Sequence, residues 1–359
     1  MEALPMIGGE GPNSYAKNSS YQKEGASTVL GAVKEAILKD SDLGRLSSGH
    51  PFRIADLGCS VGPNTFDAVD AIIEAMKLKL GNNNDDDAPP EFHVFFNDLP
   101  SNDFNTLLRS PRLMEGCGYF AAAVPGSCHG RLFPKSSLHF VQSFYTLHWL
   151  SRVPEAVEDE NSPAWNKGHI FAENARAEVM EAFSAQFVAD MERFLRARED
   201  ELVPGALMAL VFPYGRRDHN TIRAESVMIN SLFGLLELTL QDMVAMGKVD
   251  QHKVDAFNFP LHLPSPETVE KAVERNGSFD VEEMKVFVNS RRPGVAFDAG
   301  VQSKQIRAVT EKMITKQFGE EILDEIFERH RVKVEEVAQV SMEKDGIKSL
   351  FVLLKRKPN

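Results

Sequence analysis

The sequence is 359 residues long, 43% hydrophobic and 26% charged, which suits a globular chain able to bury a large core in one elaborated domain or two. A balance of 40 basic against 52 acidic residues, net −12, opposes nonspecific binding to nucleic acid or to anionic membranes. Cys59, Cys117 and Cys128 form neither a disulfide framework nor a zinc spacing; no run approaches the roughly 20 apolar residues of a membrane span, and the start lacks a secretory pattern, so the cytosol is the expected compartment.

Residues 6–22 hold three glycines with polar and aromatic side chains, and read either as a fraying end or as a segment that folds over a pocket using Tyr15, Ser19, Tyr21 and Gln22. From about Gly25 to Ile37, Val29, Leu30, Val33, Ala36 and Ile37 share one helical face. Ile54 to Asn64 is an apolar run that ends in Asp56, then a glycine turn, then a helix start. Such a handover leaves bare backbone N–H groups where a nucleotide or nucleoside can approach. Phe66, Val69, Ile72, Ile73, Met76 and Leu80 continue as a helix with one buried face, its N-terminus in that loop. Residues 81–90, rich in Asn and Asp, read as a solvated loop, because calcium loops need spaced ligands and a distal glutamate.

Phe92–Asp98 is a second strand that ends in an acid, where a doubly wound sheet would offer it to both hydroxyls of a ribose. A third strand is expected at about Tyr119–Val124 and a fourth at Leu138–Ser143, leading into Tyr145, His148 and Trp149. Four strand-then-loop units predict a parallel α/β sheet with its ligands along one edge. Met180, Phe183, Phe187, Met191, Phe194 and Leu195 predict a long amphipathic helix before a strand at Ala206–Phe212. Helices dominate from about 216 to 274, where Ser265-Pro266-Glu267 opens one with a cap and a proline. A strand at about Asp280–Val288, helices over 301–337 and a strand at Ser349–Lys355 close the chain. The expected organisation is one unit: an α/β core over about 25–215, 280–292 and 338–359, a helical cap over about 216–279 and 293–337, and an N-terminal lid over 1–24.

Elimination narrows the chemistry. Only Gly58 and Gly62 flank Cys59, short of the fuller glycine fingerprint of dinucleotide sites, and the phosphate-loop, zinc-hydrolase and serine-esterase motifs are absent. A phosphate-free nucleoside held by acids suits S-adenosylmethionine, whose sulfonium and ammonium groups are cations.

Specific motifs then carry a resemblance: Asn13-Ser14-Tyr15 with Asn18-Ser19 and Gln22, Ile54–Asn64, Phe96–Asn105, Val124-Pro125-Gly126-Ser127, Gly130-Arg131-Leu132-Phe133-Pro134 and His148-Trp149-Leu150-Ser151. Together they resemble the SABATH family of plant S-adenosylmethionine-dependent carboxyl and N-methyltransferases, nearest the farnesoate and paraxanthine branch. The resemblance implies an α/β fold, a Rossmann-like seven-stranded methyltransferase sheet with a helical cap. It implies S-adenosyl-L-methionine as methyl donor, S-adenosyl-L-homocysteine as product, a small carboxylic acid as partner and a homodimer. By the same resemblance Tyr15, Ser19, Asp56, Gly58, Cys59 and Asn64 would hold the donor's amino-acid end, Asp98 and Leu99 its ribose and adenine, and Ser127 with Cys128 the adenine amino group. Gln22, Tyr145, His148 and Trp149 would face the substrate, with Phe233, His262, Ile306, Val309 and Ile347 near the acyl pocket. A magnesium-like site would use Asn166, Asp255, Phe257 through its carbonyl, and Asn258, away from the chemistry. The chain departs from its relatives at Ile7, where a lysine is common, at Cys128, where an aromatic is usual, and at His148 in place of the methionine of salicylate-type members.

A carboxylic acid with a pKa near 4 is ionised at neutral pH, so its oxygen needs no general base and catalysis reduces to alignment in a dry pocket. The expected reaction is methyl-ester formation on a small lipophilic or aromatic acid by in-line transfer, with Gln22, Trp149 and His148 as the catalytic set. N-methylation of a xanthine, with His148 and Tyr145 orienting or deprotonating the ring, is the alternative. A noncatalytic binder is a third reading.

Overall fold

The computed structural model describes residues 4–46, 50–81, 91–172, 175–214, 228–289, 297–338 and 347–358. A single turn at Tyr15–Lys17 leads into α1 (Ser20–Lys39), then β1 (Phe52–Leu57), α2 (Pro63–Gly81), β2 (Phe92–Asp98), the short α3 (Phe104–Leu108) and α4 (Pro111–Met114), β3 (Phe120–Pro125) and β4 (Leu138–Phe144). There follow α5 (Glu155–Glu158), α6 (Ala177–Glu201), β5 (Leu202–Pro213), α7 (Met228–Ala245), α8 (Gln251–Asp255), α9 (Pro266–Asn276), β6 (Phe279–Asn289), α10 (Ala299–Phe318), α11 (Leu323–Ala338) and β7 (Ile347–Arg356).

The apolar runs become strands of one sheet whose central members, β1, β4 and β5, are buried on both faces. Ile54, Phe140 and Leu207 point to a core shared with α1 and α2, while Ala55, Leu57, Val141 and Met208 point to a core shared with α6. The sheet order is β3-β2-β1-β4-β5-β7-β6, with β1 to β5 parallel and β7 antiparallel to both neighbours. Winding reverses between β1 and β4, and ligands of such sheets bind beyond the carboxyl ends of the strands at that point. The register sets Asp56 of β1 opposite Gln142 of β4 there.

All seven expected strands are present, β2 with the expected bounds and the others with shifted ends. β5 starts at Leu202, ahead of the expected Ala206, because Gly205 (φ +85°) absorbs an irregularity in its pairing with β4. The first helix starts at Ser20, not near Gly25, so Tyr21 and Gln22 are helical. As the residue pattern predicts, Ser265 caps α9 by accepting from Thr268 N at 3.2 Å and Pro266 takes the first position; Gly277 (φ +76°) ends the helix. Helices α7, α10 and α11 pack on one another over the α1 side. The expected cap over 216–279 needs one correction: α9 packs on α6 beneath the opposite face, because only Gly277 and Ser278 separate it from β6. Residues 216–227 of that span lie outside the described residues. Among the described residues no helix is long and apolar enough to cross a membrane.

Candidate active site

The loop after β1 is shaped by backbone constraints. Gly58 has φ +89°, and a Cβ there would lie 2.0 Å from Thr146 Oγ1, so only glycine fits. The N–H groups of Gly58 and Cys59 both donate to Asn97 O, at 2.8 and 2.9 Å. Ser60, at φ +50°, donates its N–H to Asp98 Oδ2 at 2.8 Å, and Leu99 N donates to Oδ1 at 2.7 Å. Asn97 Nδ2 reaches across to Val124 O and Gly126 O at 2.7 and 2.9 Å. The ends of β1, β2 and β3 are thereby tied into one rim.

Asp56 sits inside that rim, 4% exposed. Thr65 Oγ1 donates to its Oδ2, Gln142 also hydrogen-bonds it, and burial nevertheless raises its pKa to about 7. Burial likewise raises Asp98. Beside Asp56, the buried Oε1 atoms of Gln22 and Gln142 have no hydrogen-bond partner. Two carboxylates and two idle carbonyl acceptors, with no phosphate cradle, form a seat for a donor-bearing cation, which is the chemistry of the ammonium of S-adenosylmethionine.

The N-terminal segment covers this rim. Ile7 N donates to Ala308 O of α10 at 3.1 Å and Tyr15 N to Ile7 O at 2.9 Å. Asn64 Nδ2 donates to Ser19 Oγ and Ser19 O at 2.9 and 3.2 Å, joining the start of α2 to the start of α1. Burial, with Asp98 and Asp56 nearby, pushes the Tyr15 phenol well above its ordinary range, so it stays neutral.

Two cavities adjoin. The larger, about 350 Å³, is lined by Tyr15, Gly58, Asp98, Leu99, Ser127, Cys128, Tyr145 and Trp149, with Leu4, Pro5 and Met6 among its other walls. The smaller, about 30 Å³, is lined by Gln22, Asp56, Cys59 and Asn64, and shares Tyr15, Gly58, Phe144 and Tyr145 with the first. Gln22 and Trp149 therefore lie on different chambers, with Tyr145 walling both. Tyr145 takes φ +56°, its N–H donates to Val211 O at 2.8 Å, and its hydroxyl pairs with Ser349 Oγ at 2.5 Å. Ser19 lines neither chamber and acts through Asn64. Burial raises the thiols of Cys59 and Cys128, the latter to about 12, so both are neutral.

Several expected substrate residues sit elsewhere. His148 is 4% exposed and lines neither chamber; burial lowers its imidazole to about 3, so it is neutral and not a base. Its carbonyl accepts from His262 N at 2.9 Å, and the His262 ring packs on Phe187 at 5.3 Å. Phe233 backs Trp149 edge to face at 6.5 Å, Ile306 is core, and Val309 packs against that core. These four also line neither chamber. Ile347 opens β7, and its side chain lies outside the described residues.

Of the expected metal set, Asn166 and Asn258 meet directly. Asn166 Nδ2 donates to Asn258 Oδ1 at 2.7 Å, leaving the buried Asn166 Oδ1 without a partner, while Asp255 Oδ1 accepts from Gln251 at 2.8 Å. The two amides face each other donor to acceptor, so they do not offer a shared pair of oxygens, and the set does not fit a magnesium ion as arranged. Among the described residues, no three His, Cys, Asp or Glu side chains cluster as metal ligands.

Sequence reasoning missed Thr65, Gln142 and the Leu4–Met6 wall. Gln142 carried a usable signal: a lone amide in the apolar run Leu138–Phe144 is costly unless it serves a partner.

With this geometry described, known proteins offer a comparison. Residues 1–357 match the family described as SAM dependent carboxyl methyltransferase. Loganic acid O-methyltransferase from Catharanthus roseus is 39% identical over 100% of this chain and 96% of its own. A 3,7-dimethylxanthine N-methyltransferase from Camellia sinensis var. assamica is 37% identical over 91% of this chain and 90% of its own. A solved structure described as loganic acid methyltransferase with SAH superposes with a TM-score of 0.91 at 39% identity, covering 99% of both chains.

Proposed function

The chain belongs to the SABATH family of S-adenosylmethionine-dependent carboxyl methyltransferases, and from that we propose that it converts the carboxylate of a small lipophilic or aromatic plant acid to its methyl ester. The observation that carries this reading is the larger cavity: the residues expected at ribose and adenine, Asp98, Leu99, Ser127 and Cys128, share its wall with Tyr145 and Trp149. When bound, the methyl donor supplies an electrophilic methyl group on a sulfonium.

The chain's own part is positioning. Asp56, with Gln22 and Gln142 beside it, receives the ammonium, and Asp98 the ribose hydroxyls. Trp149 Nε1–H and the Gln22 amide hold the acid's carboxylate, already ionised, toward the methyl group. Leu4, Pro5 and Met6 exclude water above them. No step draws on the Asn166 cluster. Xanthine N-methylation would require His148 and Tyr145 at the ring; His148 lines neither chamber, and the Tyr145 hydroxyl is engaged by Ser349. We also place the enzyme in the cytosol as a homodimer, in keeping with its family.

A panel assay with labelled S-adenosylmethionine tests the reading, offering benzoate, cinnamate, indole-acetate, jasmonate, farnesoate, loganic acid and xanthines. A methyl ester is expected. An N-methyl product, or donor binding without turnover on any acid, overturns it.

A further inference from the structure

The wall expected to meet the adenine is a loop without regular hydrogen bonding, residues 126–133 between β3 and β4. Ser127 and Cys128 line the cavity from it. Such a loop needs something behind it to hold its shape, and here that support is ionic. Arg198 and Glu201, near the end of α6, are both fully buried and pair through Nη2 and Oε2 at 2.7 Å. Arg198 Nη1 donates to Cys128 O and Nη2 to Gly130 O, each at 2.9 Å. Glu201 Oε1 accepts from Leu132 N and, at 2.9 Å, from Phe133 N. The guanidinium also lies over the Phe194 ring at 5.1 Å.

Two charged side chains thus satisfy four backbone groups of one loop, two carbonyls and two amides, and neither side chain lines the cavity. Taking such a pair out of water is costly, and similar-sized apolar residues often stabilise a fold as well. Here apolar residues would leave those four backbone groups without partners, which ties the pair to the shape of this loop. What the planar fork supplies is geometry: it fixes the carbonyls of Cys128 and Gly130 together, and through them the direction in which Ser127 and Cys128 face.

We propose that Arg198 and Glu201 are positioning residues for the adenine end of the methyl donor, setting donor affinity without touching donor or acid. This rests on the reading that the donor occupies the larger cavity with its adenine against Ser127 and Cys128.

The test compares full-length wild type with Arg198→Lys, which keeps the charge but loses the fork, and with Arg198→Met/Glu201→Met, which removes both charges and leaves none unpaired. Binding of S-adenosylhomocysteine and of 5′-methylthioadenosine, which shares its adenine half, is measured by calorimetry beside steady-state kinetics. The expected result is that both Kd values and the donor KM rise by about tenfold or more in each variant, while the acid KM and kcat at saturating donor stay within about twofold. Folded variants with unchanged Kd values, or with donor and acid KM rising together, overturn the proposal. Wild type that fails to bind S-adenosylhomocysteine overturns the donor reading beneath it.

Discussion

The hydroxyl of Tyr145 occupies the space that a side chain at Gly25 would need: a Cβ on Gly25 would lie 1.6 Å from Tyr145 Oη and 3.0 Å from Ser349 Oγ. A glycine in the second turn of α1 is thus a recess for the residue that walls both chambers. Tyr21, on the same helix, meets the Tyr145 ring edge to face at 5.8 Å.

Gly25→Ala sets two effects against each other. Helix propensity alone favours alanine by about 1 kcal/mol. Overpacking against a buried tyrosine costs about 1–3 kcal/mol, and a contact this short places the balance with the clash. The expected outcome is a lower Tm and a fall of about tenfold in kcat/KM as Tyr145 is displaced into the cavities. Thermal melts and steady-state kinetics check it; a variant more stable than wild type and fully active would count against the recess.

The proposed seat of the donor's ammonium at Asp56 predicts that binding depends on pH. Burial raises its carboxyl from 3.8 to about 7 in the folded protein. Its contribution to stability is therefore fully present below 3.8 and is lost as pH rises through about 7. A bound ammonium favours the ionised form, so binding below about pH 7 releases a proton. Affinity for S-adenosylhomocysteine should climb by up to about tenfold per unit from about pH 5.5 and level off above about 7.5. Asp56→Asn should bind weakly and without that slope. Calorimetry near pH 6.5 in two buffers of different ionisation enthalpy reads the proton directly, and no release in wild type would refute the assignment.

How much of this was legible beforehand follows from the geometry of each residue. Asp56 and Asp98 could be read because an acid that ends an apolar run has only one place to be, the carboxyl edge of a parallel sheet. Residues of the segment after β4 could not be assigned so simply. Tyr145 takes a positive φ (+56°), so spacing from Phe144 onward does not say which side chain faces the ligand; Tyr145 and Trp149 line the cavity while the buried His148 does not. The Gln22 to Trp149 separation was equally hidden, because it depends on where α1 lies against β6 and β7, a relation of tertiary packing. Thr65 escaped notice because a threonine in a first helical turn is ordinary until Asp56 is seen beside it.

Gln22 and Trp149 are assigned to the acid although they line adjacent chambers, and a double variant tests that assignment. A hydrogen bond to a charged group contributes about 1.5–3 kcal/mol, so Gln22→Ala with Trp149→Phe should lower kcat/KM for the acid by about 100-fold or more. Affinity for S-adenosylhomocysteine should fall far less with Trp149→Phe alone. Intact methyl transfer in the double variant would show that other groups hold the carboxylate.

Asp103 fastens the N-terminal segment to the start of α3. Its Oδ1 accepts from Thr106 N at 3.0 Å, capping α3, while Oδ2 accepts from Thr106 Oγ1 at 2.6 Å and from Gly9 N at 2.9 Å. A Cβ on Gly8 would lie 2.6 Å from Asp103 Cβ, so the segment can approach this closely only as glycine. The Thr106 and Gly9 hydrogen bonds hold the Asp103 carboxyl below its usual range. Its contribution is therefore present above 3.8, across neutral pH, and is lost only as pH falls through the lower folded value. Asp103→Ala should cost about 1 kcal/mol through the lost cap and should also release the segment. Limited proteolysis near residue 9 should then run several-fold faster, with kcat/KM reduced because Leu4, Pro5 and Met6 no longer close the cavity. Asp103→Asn, which keeps an acceptor, should recover part of both. Cleavage rates equal to wild type in Asp103→Ala would mean that Ile7 and Ala308 hold the segment unaided.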